Sequence, residues 1–421
     1  MALVLATSLS ASLSASPASA SQASTSTALA GSSAFAVDDP TCSWSGRVSV
    51  DQRNTLFPES HAAYWALPFP YHPDLSITIT GEFPASRFMS LSVYKGEGGA
   101  FSVNEVESTI TDYEILPDAG TVNPWRSSGT PGTYTIQMLA QPTAGVANTL
   151  PLAPDDAIDG TSQRLVFRIY LPDGDDFDTV PMPQITLHRD SGDFTLPLCS
   201  SVSTALDEAD ADETTADDDV AAAADPGIRF YRPTGDFGIL PNTDTGYMIA
   251  KMTPPTGDQV LVVRGRAPTS ADGSTPQVWP RRGVQLRYWS ICTNLDTAVR
   301  PLVANTLPDG TVDYGCRNDD EAILDRHGYY TFVVGTEAQR ARIEAIPGAT
   351  FVPWSQDRPA TQHIIFFRNM LANTQFAEAI QNITTLDDPD ASAAVMRDYY
   401  PEDALCDLTT LEAHHGTCGC L

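Results

Sequence analysis

A chain of 421 residues is too long for one ordinary core and points to two domains. Its 53 acidic residues outweigh 24 basic ones, for a formal charge of −29, and Lys95 and Lys251 are the only lysines. So acidic a balance argues against nucleic acid or an anionic membrane surface as partner, since both demand positive charge.

Residues 1–36 are almost entirely Ala, Ser, Thr and Leu, and begin with the weakly apolar MALVLATSLSASLSA. Ala34-Phe35-Ala36 fits a small-residue cleavage site before Val37, so this segment is expected to be a signal or leader and the protein to be exported. No later stretch approaches the roughly 18 apolar residues that a membrane span needs. Seven cysteines agree with an oxidising compartment. Their positions suggest Cys42 with Cys199, Cys292 with Cys316, and Cys406 with Cys418 or Cys420.

Short alternating apolar runs follow one another between Pro, Gly and Asp: LSITITGEF (75–83), ASRFMSLSVY (85–94), YTIQML (134–139), LVFRIYL (165–171), QVLVVRGR (259–266), YTFVVG (330–335) and HIIFF (363–367). This is the pattern of an all-β protein made of sandwich or jelly-roll-like modules. Helical spacing is confined to the C-terminal part, over 369–383 and 391–396. The segment LDEADADETTADDDVAAAADP (206–226) has no aromatic residue and too little apolar surface to order itself, so it reads as a flexible linker. The expected organisation is a leader over 1–36, a first module over 37–203, a linker over 204–226, a second module over 227–400 and a Cys/His tail over 401–421.

The two halves match in order. Asn54-Thr55 then Tyr64 corresponds to Asn242-Thr243 then Tyr247, and Gly81-Glu-Phe-Pro84 to Gly265-Arg-Ala-Pro268. Arg87-Phe-Met-Ser90 corresponds to Arg287-Tyr-Trp-Ser290, and Phe167-Arg168 to Phe367-Arg368, each at an offset of 200. Gly132-Thr-Tyr134-Thr corresponds to Gly328-Tyr-Tyr330-Thr at an offset of 196. These matches predict two tandem homologous modules, the second with an insertion between Pro268 and Arg287. The same runs, with LPNTDTGYMIAKM and RYWSICTN, resemble the paired modules of uncharacterised bacterial envelope or secreted proteins. Those modules carry N-x-D-T-x-Y, R-[FY]-[WM]-S and G-x-Y-T patterns. The chain departs from them in having Thr149 where that family usually has tryptophan, in an exchanged module order and in the extra cysteines and tail. The resemblance implies two β-sandwich modules at or outside the cell envelope, and it supplies no catalytic residues.

No G-x-S-x-G elbow, H-E-x-x-H helix, P-loop or dinucleotide fingerprint occurs, and no cofactor is expected. His414-His415-Gly-Thr-Cys418-Gly-Cys420 holds soft metal ligands at close spacing, but oxidised cysteines cannot bind as thiolates, so His414, His415 and Cys420 are weak metal candidates. The acidic run 173–178 lacks the spacing of an EF-hand and reads as a solvated turn. Arg87 and Arg287 open core strands, and a buried arginine needs a carboxylate or several carbonyls. They are either a recurring internal clamp, with Asp244 or loop carbonyls as partners, or a polar floor under a pocket. Ligand-binding candidates are Arg87, Arg287, Asn54, Asn242, Asp244 and Trp354. The expected function is ligand or carbohydrate binding outside the cytoplasm, with a carbohydrate or small amphipathic molecule as ligand. The alternative is an extracellular hydrolase or lyase acting on glycan or lipid through carboxylates at the module interface, or through His327 or His363 beside an acid.

Overall fold

The computed structural model describes residues 39–200, 228–234, 240, 242–414 and 416. The leader, the linker, His415, Cys418 and Cys420 lie outside the described residues.

The chain is all-β with a few short helices, the last of them near the C-terminus. In the first half the strands are β1 (Ala62–Pro70), β2 (Ser76–Glu82), β3 (Ser86–Lys95), the ribbon β4 (Ser102–Val103) and β5 (Val106–Glu107), then β6 (Thr109–Thr111), β7 (Thr133–Leu139), β8 (Thr149–Pro151), β9 (Ser162–Pro172), β10 (Gln184–Arg189) and β11 (Gly192–Thr195). They form one sheet in the order β1-β9-β3-β6 and a second in the order β11-β10-β2-β7-β8. The second half contributes β12 (Thr245–Met252), β13 (Gln259–Arg266), β14 (Leu286–Leu295), the ribbon β15 (Ala304–Thr306) and β16 (Val312–Tyr314), then β17 (Cys316–Asn318), β18 (Tyr329–Gly335), β19 (Ala349–Pro353), β20 (His363–Ala372) and β21 (Glu402–Asp407). Its sheets run β12-β20-β14-β17 and β19-β18-β13-β21. Strands β7 and β8 are parallel, as are β18 and β19.

Alternation decides which face meets which layer, because successive side chains of a strand point to opposite sides. Met89, Leu91 and Val93 of β3 join Phe167 and Ile169 of β9 in the core of the first half, against Ile77, Ile79 and Ile136 of the other sheet. Trp289, Ile291, Ile365 and Phe367 do the same in the second half, against Leu261, Val263 and Phe332. The opposite faces of β3, β9, β14 and β20 are buried too, since the halves meet there. Phe88 and Tyr170 pack with Tyr288 and Met370, and the rings of Tyr170 and Tyr288 lie 5.3 Å apart edge to face.

Two disulfides tie the described chain, Cys42–Cys199 over a separation of 157 residues and Cys292–Cys316 across the paired strands β14 and β17. Cys406 is also disulfide-bonded. Among the described residues no helix is long and apolar enough to cross a membrane. Residues 402–407 of the expected tail are the edge strand β21, paired with β13.

The expected helix over 369–383 is not formed. Residues 369–372 continue β20, because Asn369 and Met370 pair with both β12 and β14. The chain then turns at Asn373, whose side-chain oxygen accepts from the Gln375 amide, and only Ile380–Asn382 coils as a 3-10 turn. Of the residues whose spacing suggested a helix, Phe376 and Ile380 pack onto the core, joined by Ala379, whereas Ala377 is exposed. The helix expected at 391–396 is present over Pro389–Met396, capped by Asp388.

Gly81 pairs with Tyr134 and Gly265 with Tyr330. A Cβ on Gly81 would stand 2.5 Å from the Tyr134 ring, and one on Gly265 would stand 2.4 Å from the Tyr330 hydroxyl and 2.9 Å from the Tyr400 carbonyl. Gly81→Ala and Gly265→Ala should therefore each lower stability, by about 1–3 kcal/mol. Urea melts of the two variants check this; unchanged midpoints would show that the tyrosines move aside freely.

Candidate functional site

The polar residues singled out by the sequence converge on the seam between the halves. The β3–β9 ladder runs Ser86↔Pro172 and then Phe88↔Tyr170, omitting Arg87 and Leu171, and Leu171 has φ +46°. The β14–β20 ladder likewise omits Arg287 and Leu371, and Leu371 also has φ +46°. At these interruptions each arginine leaves the regular alternation and reaches into the opposite half.

Arg87 Nη1 donates to both carboxylate oxygens of Asp319 at 2.7 Å, Nη2 bonds Asp320, and Nε donates to the Gly273 carbonyl at 2.6 Å. Arg287 Nη1 donates to Asp112 at 3.1 Å and to the Arg87 carbonyl at 3.0 Å. Asp112 also accepts from the Met89 amide at 2.9 Å. Each guanidinium is thus answered by an acid that follows a short strand, β17 or β6, of the other half. Arg368 on β20 completes a third crossing, with Glu59 at 3.2 Å and the Phe57 carbonyl at 2.9 Å. Ser290 Oγ donates to the same Glu59 oxygen at 2.7 Å.

Arg168 on β9 differs. It is 2% exposed, donates to Ser90 Oγ at 3.3 Å and Tyr94 Oη at 3.1 Å, and lies 5.3 Å from the centre of the Tyr64 ring. Tyr64 Oη meets Tyr170 Oη at 3.4 Å. The nearby Asp244 keeps one carboxylate oxygen, Oδ2, buried without a hydrogen-bond partner. Burial pushes the Asp244 carboxyl up to about 7 against the pull of Arg168.

The seam is costly to desolvate. Burial raises Asp112 to about 6 despite Arg287, and lowers Arg287 from its ordinary value, so desolvation opposes the charge on both partners. Burial also raises Asp319 to about 6 against Arg87. Glu59 goes the other way: burial would raise it, yet Arg368, His61 and Ser290 together hold it at about 2.

Of the ligand-binding candidates, Arg87 and Arg287 are clamps whose carboxylate partners are Asp319, Asp320 and Asp112 rather than Asp244. Asn54 also crosses the seam, donating to the Leu302 carbonyl at 2.8 Å and accepting from the Leu302 amide at 2.7 Å. Asn242 accepts from the Asp244 amide at 3.1 Å. Trp354 stands apart. It is buried, its indole donates to the Pro359 carbonyl at 3.0 Å, and its ring stacks on His363 at 3.5 Å. The ring nitrogens of His363 meet the Ser355 amide and the Thr361 carbonyl, and burial lowers its pKa to about 4. His327 lies against the Arg326 side chain at 2.9 Å. The sequence did not single out Glu59, Asp112 or Asp319, and nothing in their local spacing sets them apart from the other acids.

Glu59 also lies beside Cys292 and Cys316, but their sulfurs are bonded to each other and offer no thiolate to a metal. His414 is exposed near the end of the described chain. A surface cleft of about 280 Å³ opens on the second half, lined by Arg317, Glu321, Ile323, Arg340, Glu344 and Phe351 among others; it reaches the seam only at Glu321, and none of the seam arginines borders it.

No family model and no curated protein matches the chain. Among solved structures it is similar to an uncharacterised protein from Burkholderia cenocepacia, at 14% identity and a TM-score of 0.49, over 88% of this chain and 83% of that one. It is also similar to a protein from Vibrio parahaemolyticus, at 13% identity and a TM-score of 0.41, over 82% of this chain and 89% of that one.

Removing one partner of a buried ion pair leaves the other charge uncompensated, at about 3–5 kcal/mol. Arg287→Ala should therefore destabilise the protein by about that much, whereas Arg229→Ala, which breaks the exposed pair with Asp390, should change stability by about 0–1 kcal/mol. Equal losses in chemical denaturation would contradict the reading of the seam as a clamp.

Proposed function

We propose that the protein is exported and acts at the cell envelope or outside the cell as a non-catalytic binding protein, built from two copies of one β-sandwich module. Disulfides support the oxidising compartment. The matched sheet orders of the two halves, with Ser90 opposite Arg168 and Ser290 opposite Arg368, support the duplication.

One observation carries the non-catalytic reading. Glu59, Asp112 and Asp319, three carboxylates at the interface where a glycan or lipid hydrolase would need them, are buried and engaged by arginines. A general acid or nucleophile must instead be free to reach a substrate. Neither His327 nor His363 bonds a carboxylate among the described residues.

The ligand class is a carbohydrate or a small amphipathic molecule, and the cleft on the second half suits it best. Ile323, 51% exposed, and Phe351 give the cleft apolar walls, while Arg317, Arg340, Glu321 and Glu344 add charge of both signs. Purified protein titrated with a panel of soluble glycans and short-chain lipids should show saturable binding with the ligand recovered intact. Ile323→Asp should weaken it about tenfold, equivalent to ~1.4 kcal/mol. Accumulating cleavage products, or binding indifferent to Ile323, would sink this reading.

A further inference from the structure

The triplet Glu59-Ser60-His61 lies just ahead of β1, where the first half meets the turn after β17. His61 Nδ1 stands 3.3 Å from Glu59 Oε1 and 3.1 Å from Ser60 Oγ. On the other side of the ring, Nε2 stands 3.4 Å from Glu321 Oε2. Glu59 belongs to the first half and is wholly buried; Glu321 belongs to the second and is 41% exposed. A neutral imidazole has one N–H and one lone pair, so one ring nitrogen would turn a lone pair towards a carboxylate. Only the imidazolium presents an N–H to both acids.

We propose that His61 is a proton-operated latch between the halves, whose imidazolium bridges Glu59 and Glu321 and whose deprotonation releases Glu321 from the first half. The turn matters because Asp319 and Asp320, two residues and one residue earlier, hold Arg87 of the first half. The latch therefore sits beside the clamp and controls how firmly that clamp's acids are positioned.

The charged groups around the ring favour its charged form. Glu59 and Glu321 face it directly, Asp175 of the turn after β9 adds a third negative charge, and Arg368 stands behind Glu59. Burial pulls the imidazole pKa down, but the acids outweigh it and raise the value above the ordinary 6.5. A raised basic group contributes stability that is fully present below its unfolded value and is lost as pH rises through its folded value. The Glu59 contribution has the opposite sense. Held at about 2, it is present above the ordinary 4.5 and fades only as pH falls towards 2. Asp112, Asp319 and Asp244, raised to between about 6 and 7, also favour the folded state less as pH rises, so the His61 share must be read by difference.

The test is an NMR titration of the histidine rings in the full chain, paired with urea stability between pH 6 and pH 8. His61 should titrate above 6.5. Glu321→Gln, an isosteric change on a partly exposed turn, should lower that pKa while the spectrum stays folded. The folded-to-unfolded ratio of the parent protein should fall with rising pH more steeply than that of His61→Gln, by up to about tenfold per pH unit, the limit for one proton. A His61 pKa at or below 6.5, no movement of it in Glu321→Gln, or equal pH slopes in the parent and His61→Gln would overturn the latch.

Discussion

A guanidinium cannot shed its charge inside a protein, so wherever arginine is buried the surroundings must supply a counter-charge or several carbonyls. Arg87, Arg168, Arg287 and Arg368 are each at most 2% exposed. For three of them the counter-charge comes from the opposite half: Asp319 and Asp320 for Arg87, Asp112 for Arg287, and Glu59 for Arg368. Neither half supplies the acids that its own arginines among these three use. The inner sheets therefore reach their observed state, buried on both faces, only when the halves are together, and the cross-half packing of Tyr170 on Tyr288 follows from that requirement.

The energetic character of these contacts is mixed. Burial opposes the charge on both Asp112 and Arg287, and only the acid can answer it by taking up a proton, which is the cost of taking a charged pair out of water. Backbone groups offset part of it, since the Met89 amide donates to Asp112 and the Arg87 carbonyl accepts from Arg287. We attribute to the pairs a role in selecting which surfaces meet more than a large net gain in stability. The fourth arginine departs from this scheme. Glu59 and Asp244 both stand just ahead of the first long strand of their half, yet Glu59 bonds Arg368 whereas Arg168 is held by Ser90, Tyr94 and the Tyr64 ring. Burial, reinforced by the charges of Glu114 and Asp112, leaves Asp244 high in pKa, with one buried oxygen unbonded.

Much of the strand content was legible because period-two alternation survives in the core-facing positions of β2, β7, β9 and β13. Glycine at 81 and 265 was also visible as a matched position, and its cause is the tyrosine lying across each one. That Arg87 and Arg287 need an internal partner could be read from their position at the start of core strands, which left an internal clamp and a pocket floor both open. Their partners could not. Asp319 lies 232 residues from Arg87, and Asp112 lies 175 residues from Arg287, so no local spacing marks them among 53 acids. Ser90, Ser92 and Tyr94 read as the polar side of a strand, yet they are buried because a second sheet covers that face. The helix expected over 369–383 failed for a related reason. Apolar spacing set by packing against an existing core imitates a helical stripe, and pairing with β12 and β14 on both sides holds residues 369 and 370 extended.

The central claim is that the halves are one cooperative unit held through reciprocal ion pairs. Native-state hydrogen exchange of Arg87→Ala tests it most directly, because the substituted residue lies in the first half and its acids in the second. The account predicts that exchange accelerates by a similar factor in the core amides of β2 and β7 and in those of β13 and β18. Acceleration confined to β2 and β7, with β13 and β18 exchanging as in the parent protein, would contradict it.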